Sequence, residues 1–157
     1  MAAKPCTVAI LGLGMIGGSL ALALKASGFA GRVLAHDRDP GALAAGLAAG
    51  VIDSACEDLA EVLAADIAVI AVPNVAAAAV LEDLLARTDH GHTGPVLTDV
   101  ASVKGNLAAA AARGGPAPRF VPGHPIAGSE RSGVAAANGE LFRHHRVILT
   151  PLPDQDE

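Results

Sequence analysis

Short runs of β-branched and other apolar residues alternate along the chain with longer segments rich in alanine and leucine, as strands alternate with helices. Cys6–Leu11 predicts a buried strand, and 16–26 a helix that ends near Gly28, a residue suited to the position past a helix C-terminus. A second strand is predicted over 32–36. Asp39 then caps a helix with Pro40 at its first position, running through Ala49 until Gly50 stops it. After a short irregular piece, 58–65 predicts a helix and 66–72 a continuous apolar strand ended by Pro73, with Asn74 capping a helix to about Arg87. A polar loop over 88–94 leads to a strand at 95–99, a helix at 103–113, a turn at 114–118 and a brief strand at 120–121. A last strand at 146–149 follows a long, glycine-punctuated loop. The alternation predicts the α/β class.

Composition narrows the picture. A chain of 157 residues fits one core, and 52% hydrophobic against 17% charged residues excludes both a disordered tail and a coiled coil. With no Trp, no Tyr and only Phe29, Phe120 and Phe142, the core must pack through small residues in close approach. The net charge of −5 gives no electrostatic reason for a nucleic-acid or anionic-membrane partner. The longest basic cluster, Arg143 to Arg146, lacks interleaved aromatics and reads as solvated surface.

Cys6 and Cys56 lie too far apart for a metal or redox spacing and read as reduced, buried thiols of a cytoplasmic protein. The uncharged stretch 5–24 has roughly the length of a membrane span, but Gly12, Gly14, Gly17 and Gly18 weaken such a helix. A strand, a glycine turn and a helix explain it better. The polar, acidic 152–157 reads as the start of a linker or a cut end, which leaves 1–151 as the domain.

Gly12-x-Gly14-x-x-Gly17 follows the first strand and opens the first helix, where a dinucleotide fingerprint belongs. The first glycine permits the tight turn, the second lets backbone approach a pyrophosphate, and the third lets the helix pack on the strand. Asp37 ends the second strand at the place for a carboxylate that bonds both ribose hydroxyls. Together these predict a Rossmann-type, doubly wound, mostly parallel sheet with helices on both faces, binding NAD. A glycine turn that only packs helix on sheet is the other explanation. Asp37 favours NAD over NADP, since a carboxylate about 4 Å from a 2′-phosphate repels it by a few kcal/mol at an effective dielectric near 20. Arg38 could accept that phosphate, stack on adenine or point to solvent. Met15 and Ile16 beside the glycines, Val72 and Pro73 after the 66–72 strand, and Asp99 complete the expected cofactor contacts.

Asp99, Ser102 and Lys104 stand where a strand runs into a helix, so they emerge at the carboxyl edge of a parallel sheet, where ligands bind. A loop from Pro122 to Glu130 leaves the next strand at the same edge with His124, Ser129 and Glu130. His124, between Gly123 and Pro125 at the cofactor edge, is a candidate for chemistry, with a satisfied structural histidine as the alternative.

These segments together resemble the prephenate dehydrogenases, including the cyclohexadienyl and arogenate dehydrogenases. The resemblance rests on Gly-Leu-Gly-Met-Ile-Gly-Gly-Ser-Leu-Ala near the N-terminus and Thr98-Asp99-x-x-Ser102-x-Lys104 in the middle. It continues in His124-Pro125-x-Ala127-Gly128-Ser129-Glu130-x-Ser132-Gly133 and Val147-Ile148-Leu149-Thr150-Pro151. It implies NAD-dependent oxidative decarboxylation of prephenate or arogenate, to 4-hydroxyphenylpyruvate or tyrosine. His124 matches the family's catalytic histidine and Ser102 its site serine, which positions the histidine, the hydroxyl and the nicotinamide. Ser129 and Glu130 match the substrate mouth. Lys104 is expected on a helix surface.

The resemblance also implies a helical C-terminal domain that forms a homodimer and supplies cationic groups for the substrate, a domain expected to be missing from these 157 residues. Another β-hydroxyacid or imine-type dehydrogenase domain shares the glycine motif but not the His-Pro-x-Ala-Gly-Ser-Glu segment. A module that binds NAD without chemistry gives His124 and Ser102 no purpose.

Overall fold

Three apolar runs form adjacent parallel strands: β1 (Cys6–Leu11), β2 (Ala30–His36) and β4 (Ile67–Ile70), with β1 in the middle. Residues 5–153 and 155 are described by the computed structural model. Between them lie helix α1 (Met15–Ala26), helix α2 (Pro40–Ala48), the two-residue strand β3 (Ser54–Ala55) and the short helix α3 (Leu59–Leu63). After β4 come α4 (Asn74–Arg87), β5 (Val96–Asp99), α5 (Gly105–Ala112) and β6 (Phe120–Val121). The six strands form one sheet in the order β3-β2-β1-β4-β5-β6, all neighbours parallel. This is the doubly wound Rossmann order.

Side-chain alternation builds the core on both faces. Val8 and Ile10 of β1 join Val33, Ala35 and Val69 in one cluster, under α1. Ala9 and Leu11 point the other way, into a cluster with Ala68, Ile70 and Leu97 that receives Leu81, Leu84 and Leu85 of α4 and Leu107 of α5. Many contacts are alanines, and Phe120 is the single aromatic in the buried core of the described residues.

Several local expectations need correction. Asn74 is not the cap of α4. Pro73 takes that position without a side-chain bond, and Asn74 is already helical. The helices expected over 58–65 and 103–113 are shorter, and Asp58 caps α3 by accepting the Ala60 N–H at 2.7 Å. His124 lies in a strand, β7 (Gly123–Pro125), where a loop was expected. The last strand, β8 (Val147–Leu149), pairs antiparallel with β7 in a separate ribbon, with His124 opposite Ile148. Its residues Val147, Ile148 and Leu149 are exposed.

Of the two thiols, both free, only Cys56 is buried; Cys6, expected to be buried as well, is half-buried at the start of β1. In the segment expected to be a linker, Leu152 packs on the core and the Gln155 amide donates to the Ala117 carbonyl at 3.1 Å, so the chain is still docked there. The rest of that segment, at 154, 156 and 157, lies outside the described residues. No helix among the described residues is long and apolar enough to cross a membrane.

Candidate active site

The residues expected to carry function follow β1, β2, β4, β5 and β6, and in a parallel sheet all five carboxyl ends share one edge. The order reverses between β1 and β4, and the glycine turn sits at that point. Gly12 has a φ of +97°, and a side chain there would lie 2.7 Å from the backbone of Ala71 and 2.8 Å from the Val72 nitrogen. A Cβ at Gly17 would lie 2.2 Å from the Gly12 carbonyl oxygen, so α1 docks on the turn only because that position is bare.

Gly14 differs from both. It starts α1 in an extended conformation with nothing within 4 Å of its missing side chain. Helix α1 has no side-chain cap and no acidic residue in its first turn, so its leading N–H groups are left for an anion. The turn therefore pairs an open approach with free donors, which fits a pyrophosphate.

The carboxylate of Asp37 tethers this turn to the end of β2, accepting the Leu13 N–H at 2.6 Å and the Asp39 N–H at 2.8 Å. Two bonds leave about half of a carboxylate's acceptor capacity for a diol. Asp37 and Arg38 line a cleft of about 570 Å³ together with Gly12, Val72 and Pro73. The remaining walls were not foreseen from the sequence: His36, Leu59 of α3 and one face of α4 through Val75, Ala76, Ala79, Val80 and Asp83. The signal was present in the i, i+4 spacing of small residues directly after Pro73. Met15 is buried and Ile16 half-buried in the first turn of α1, and neither lines the cleft.

Asp99, grouped with the cofactor contacts by sequence, is turned inward. Its side chain is fully buried, accepting the Ala101 N–H at 2.9 Å and the Gly123 N–H at 3.1 Å and pairing with the Lys104 ammonium. It thus fixes the end of β5, the turn before α5 and the start of β7. Lys104 is correspondingly half-buried at the α5 cap position and not a free surface group.

Ser102 is exposed beyond this turn, and its hydroxyl accepts the Asn74 amide at 3.4 Å, a weak bond. Asn106 in turn donates to the Asn74 carbonyl at 3.1 Å, so the starts of α4 and α5 are joined. No hydrogen bond connects Ser102 with His124 among the described residues. His124 is half-buried, and its ring makes no hydrogen bond to the described residues. Ser129 and Glu130 are exposed beyond β7, with the Ser129 hydroxyl accepting the Arg131 N–H at 3.2 Å. The described residues hold no cluster of His, Cys, Asp and Glu suited to a metal ion.

Residues 20–157 match the family described as prephenate dehydrogenase, nucleotide-binding domain. The chain is 38% identical over 157 residues to the prephenate dehydrogenase of Bacillus subtilis (strain 168), covering 96% of this chain and 41% of that protein. Among solved structures, it is similar to the prephenate dehydrogenase of A. aeolicus in complex with hydroxyphenyl propionate and NAD+ (TM-score 0.85, 31% identity, 99% of this chain and 54% of that one). The arogenate dehydrogenase of Synechocystis follows at a TM-score of 0.82 and 29% identity, over 96% of this chain and 51% of that one. The chain thus spans about half the length of the proteins it matches, or less.

Proposed function

The chain belongs to the prephenate dehydrogenase family as its nucleotide-binding domain, and from that premise we propose that it binds NAD for the oxidative decarboxylation of prephenate or arogenate. The single observation that carries the reading is the open Gly14 approach beside a carboxylate, Asp37, that retains acceptor capacity. When bound, NAD supplies the hydride acceptor.

Gly12, Gly14 and the first turn of α1 hold the pyrophosphate by backbone N–H groups, and Asp37 accepts from the ribose hydroxyls. Val72 and Pro73 support the dinucleotide at the switch point. His124 accepts the proton of the ring hydroxyl while the carbon bearing it gives up hydride. Loss of the ring carboxylate as carbon dioxide leaves its electron pair in the ring, which aromatises. Ser102 stands at the same sheet edge to orient the reacting hydroxyl, and Ser129 and Glu130 border the substrate. The reaction belongs to tyrosine biosynthesis, and we assign the protein to the cytoplasm and full-length members of its family to a homodimer.

A dianionic substrate also requires cations, and this domain offers few. Lys104 is committed to Asp99, and Arg131 is exposed. Positioning a substrate is worth several kcal/mol in catalysis, so the 157-residue chain should bind NAD while turning over little prephenate or arogenate. Calorimetric titration with NAD, with NADH absorbance followed over hours at millimolar substrate and with sedimentation alongside, tests both halves. Absence of NAD binding would overturn the proposal, and robust turnover would show that the domain carries a complete substrate site.

A further inference from the structure

The cleft beside Asp37 continues along α4 well past the residues the glycine motif accounts for. Its walls there are apolar, formed by Leu59 of α3 and by Ala76, Ala79 and Val80 of α4. Asp83 stands on the same helix face, seven residues and therefore about 10 Å beyond Ala76. Among the residues lining the cleft, only Asp37 and Asp83 are acidic. We propose that Asp83 is a specificity-determining residue that reads the exocyclic amine of an adenine ring lodged between these walls.

This assignment rests on the nucleotide reading above and deepens it. Once the turn at Gly14 holds a pyrophosphate and Asp37 a ribose, the purine lies on the side of the ribose away from the phosphates, along α4. Alanine and valine side chains give a planar ring surface to lie on without fixing its identity. Identity then depends on the polar group at the ring's edge.

The Asp83 carboxylate has acceptor capacity to spare. Its Oδ1 accepts the Arg87 Nε–H at 2.8 Å, one helical turn on, and its Oδ2 has no bond from the described residues. A carboxylate oxygen only accepts, so it suits the N–H donors of an adenine amine, and a purine with hydrogen at that position offers it no donor there. The side chain is about half exposed, so the discrimination is modest.

The test is calorimetric titration of the chain with NAD and with nicotinamide purine dinucleotide, in which a hydrogen replaces that amine and the ring nitrogens are unchanged. The wild-type chain should bind NAD about five- to tenfold more tightly, the span of one charge-assisted hydrogen bond at a partly wet site. In D83N, whose amide offers a donor as well as an acceptor, the two affinities should fall within about twofold, chiefly through weaker NAD binding. R87A should keep the preference in reduced form. Equal affinities in the wild-type chain, or an equal loss for both dinucleotides in D83N, would overturn the assignment while leaving the nucleotide reading intact. Failure of both dinucleotides to bind would overturn the two together.

Discussion

The Leu13 N–H inside the glycine turn donates to the Asp37 carboxylate at 2.6 Å, so one residue both shapes the turn and lines the cleft beside it. Removing that carboxylate should therefore do two things at once. Asp37→Ser is expected to weaken NAD binding at least about tenfold, because a ribose acceptor and the loop tether are both lost. Its preference for NAD over NADP should narrow, since the repulsion of a 2′-phosphate goes with the charge. Titration with both cofactors measures each effect, and an unchanged NAD to NADP ratio would move the discrimination to Arg38.

Two glycines of the motif should respond in opposite ways to the same methyl group. Gly12→Ala forces a side chain into backbone at 2.7 Å with φ at +97°, so it should cost roughly 2–4 kcal/mol of stability. Gly14→Ala meets nothing within 4 Å in a backbone conformation open to any residue, so its melting temperature should stay close to wild type. Its NAD affinity should nevertheless fall, because the methyl occupies the approach of the pyrophosphate. Thermal melts beside calorimetry separate the two variants.

The strands and helices with a clear period were legible from sequence, among them Cys6–Leu11 and the helix that Asp39 and Pro40 open. What escaped were pieces too short to have a period. Ser54–Ala55 and Gly123–Pro125 have two and three residues, and each becomes a strand only because a neighbour, β2 or β8, offers it a ladder. The inward turn of the Asp99 side chain escaped for a related reason. A carboxylate at a strand's end looks alike whether it faces ligand or interior, and only the converging donors from Ala101, Lys104 and Gly123 decide it. That Asp37 lies against the glycine turn was legible because its spacing from that turn is itself a geometric constraint.

In an enzyme carrying this domain with its substrate-binding complement, His124→Asn should lower turnover by about 10²–10⁴-fold, the range for loss of a general base, with NAD affinity nearly unchanged. Near-normal turnover would leave the imidazole a purely structural part of the ribbon.

Cys56 provides a pH signature of folding. Burial, with the Glu61 carboxylate adding to it, pushes its thiol up to about 11. An unfolded thiol ionises near pH 9, so above that the unfolded state loses a proton that the folded state keeps, and stability should decline from about pH 9 upward. Cys56→Ala should flatten this alkaline limb in melts across pH 8 to 11. At pH 8 a thiol reagent should modify half-buried Cys6 first and reach Cys56 only on unfolding.

Asp53 does the reverse at low pH. Burial raises its carboxyl, but the Lys25 ammonium at 2.6 Å and the Val33 N–H at 2.7 Å outweigh that and hold it below its ordinary 3.8. Its contribution is complete above the unfolded value and is lost as pH falls through the lower folded one. The pair is partly solvated, so the loss should be about 1 kcal/mol or less. Asp53→Asn should flatten stability between about pH 5 and 3, and an unaltered acid limb would show that Lys25 contributes nothing there.

The clamp formed by Asp99 bears on how the domain tolerates change over evolutionary time. Gly123 is pinned to Asp99 at one end of β7, and at the other the Ile126 N–H donates to the Arg146 carbonyl at 2.8 Å. The segment between Ile126 and Arg146 leaves and returns at two feet fastened together, and it is docked midway, where the Asn138 N–H donates to the Ser19 hydroxyl of α1 at 2.8 Å. Insertions and deletions in the stretches to either side of Asn138 need not travel back to the imidazole of His124. Homologous chains can therefore vary this segment in length and in chemistry while His124 keeps its place in the ribbon.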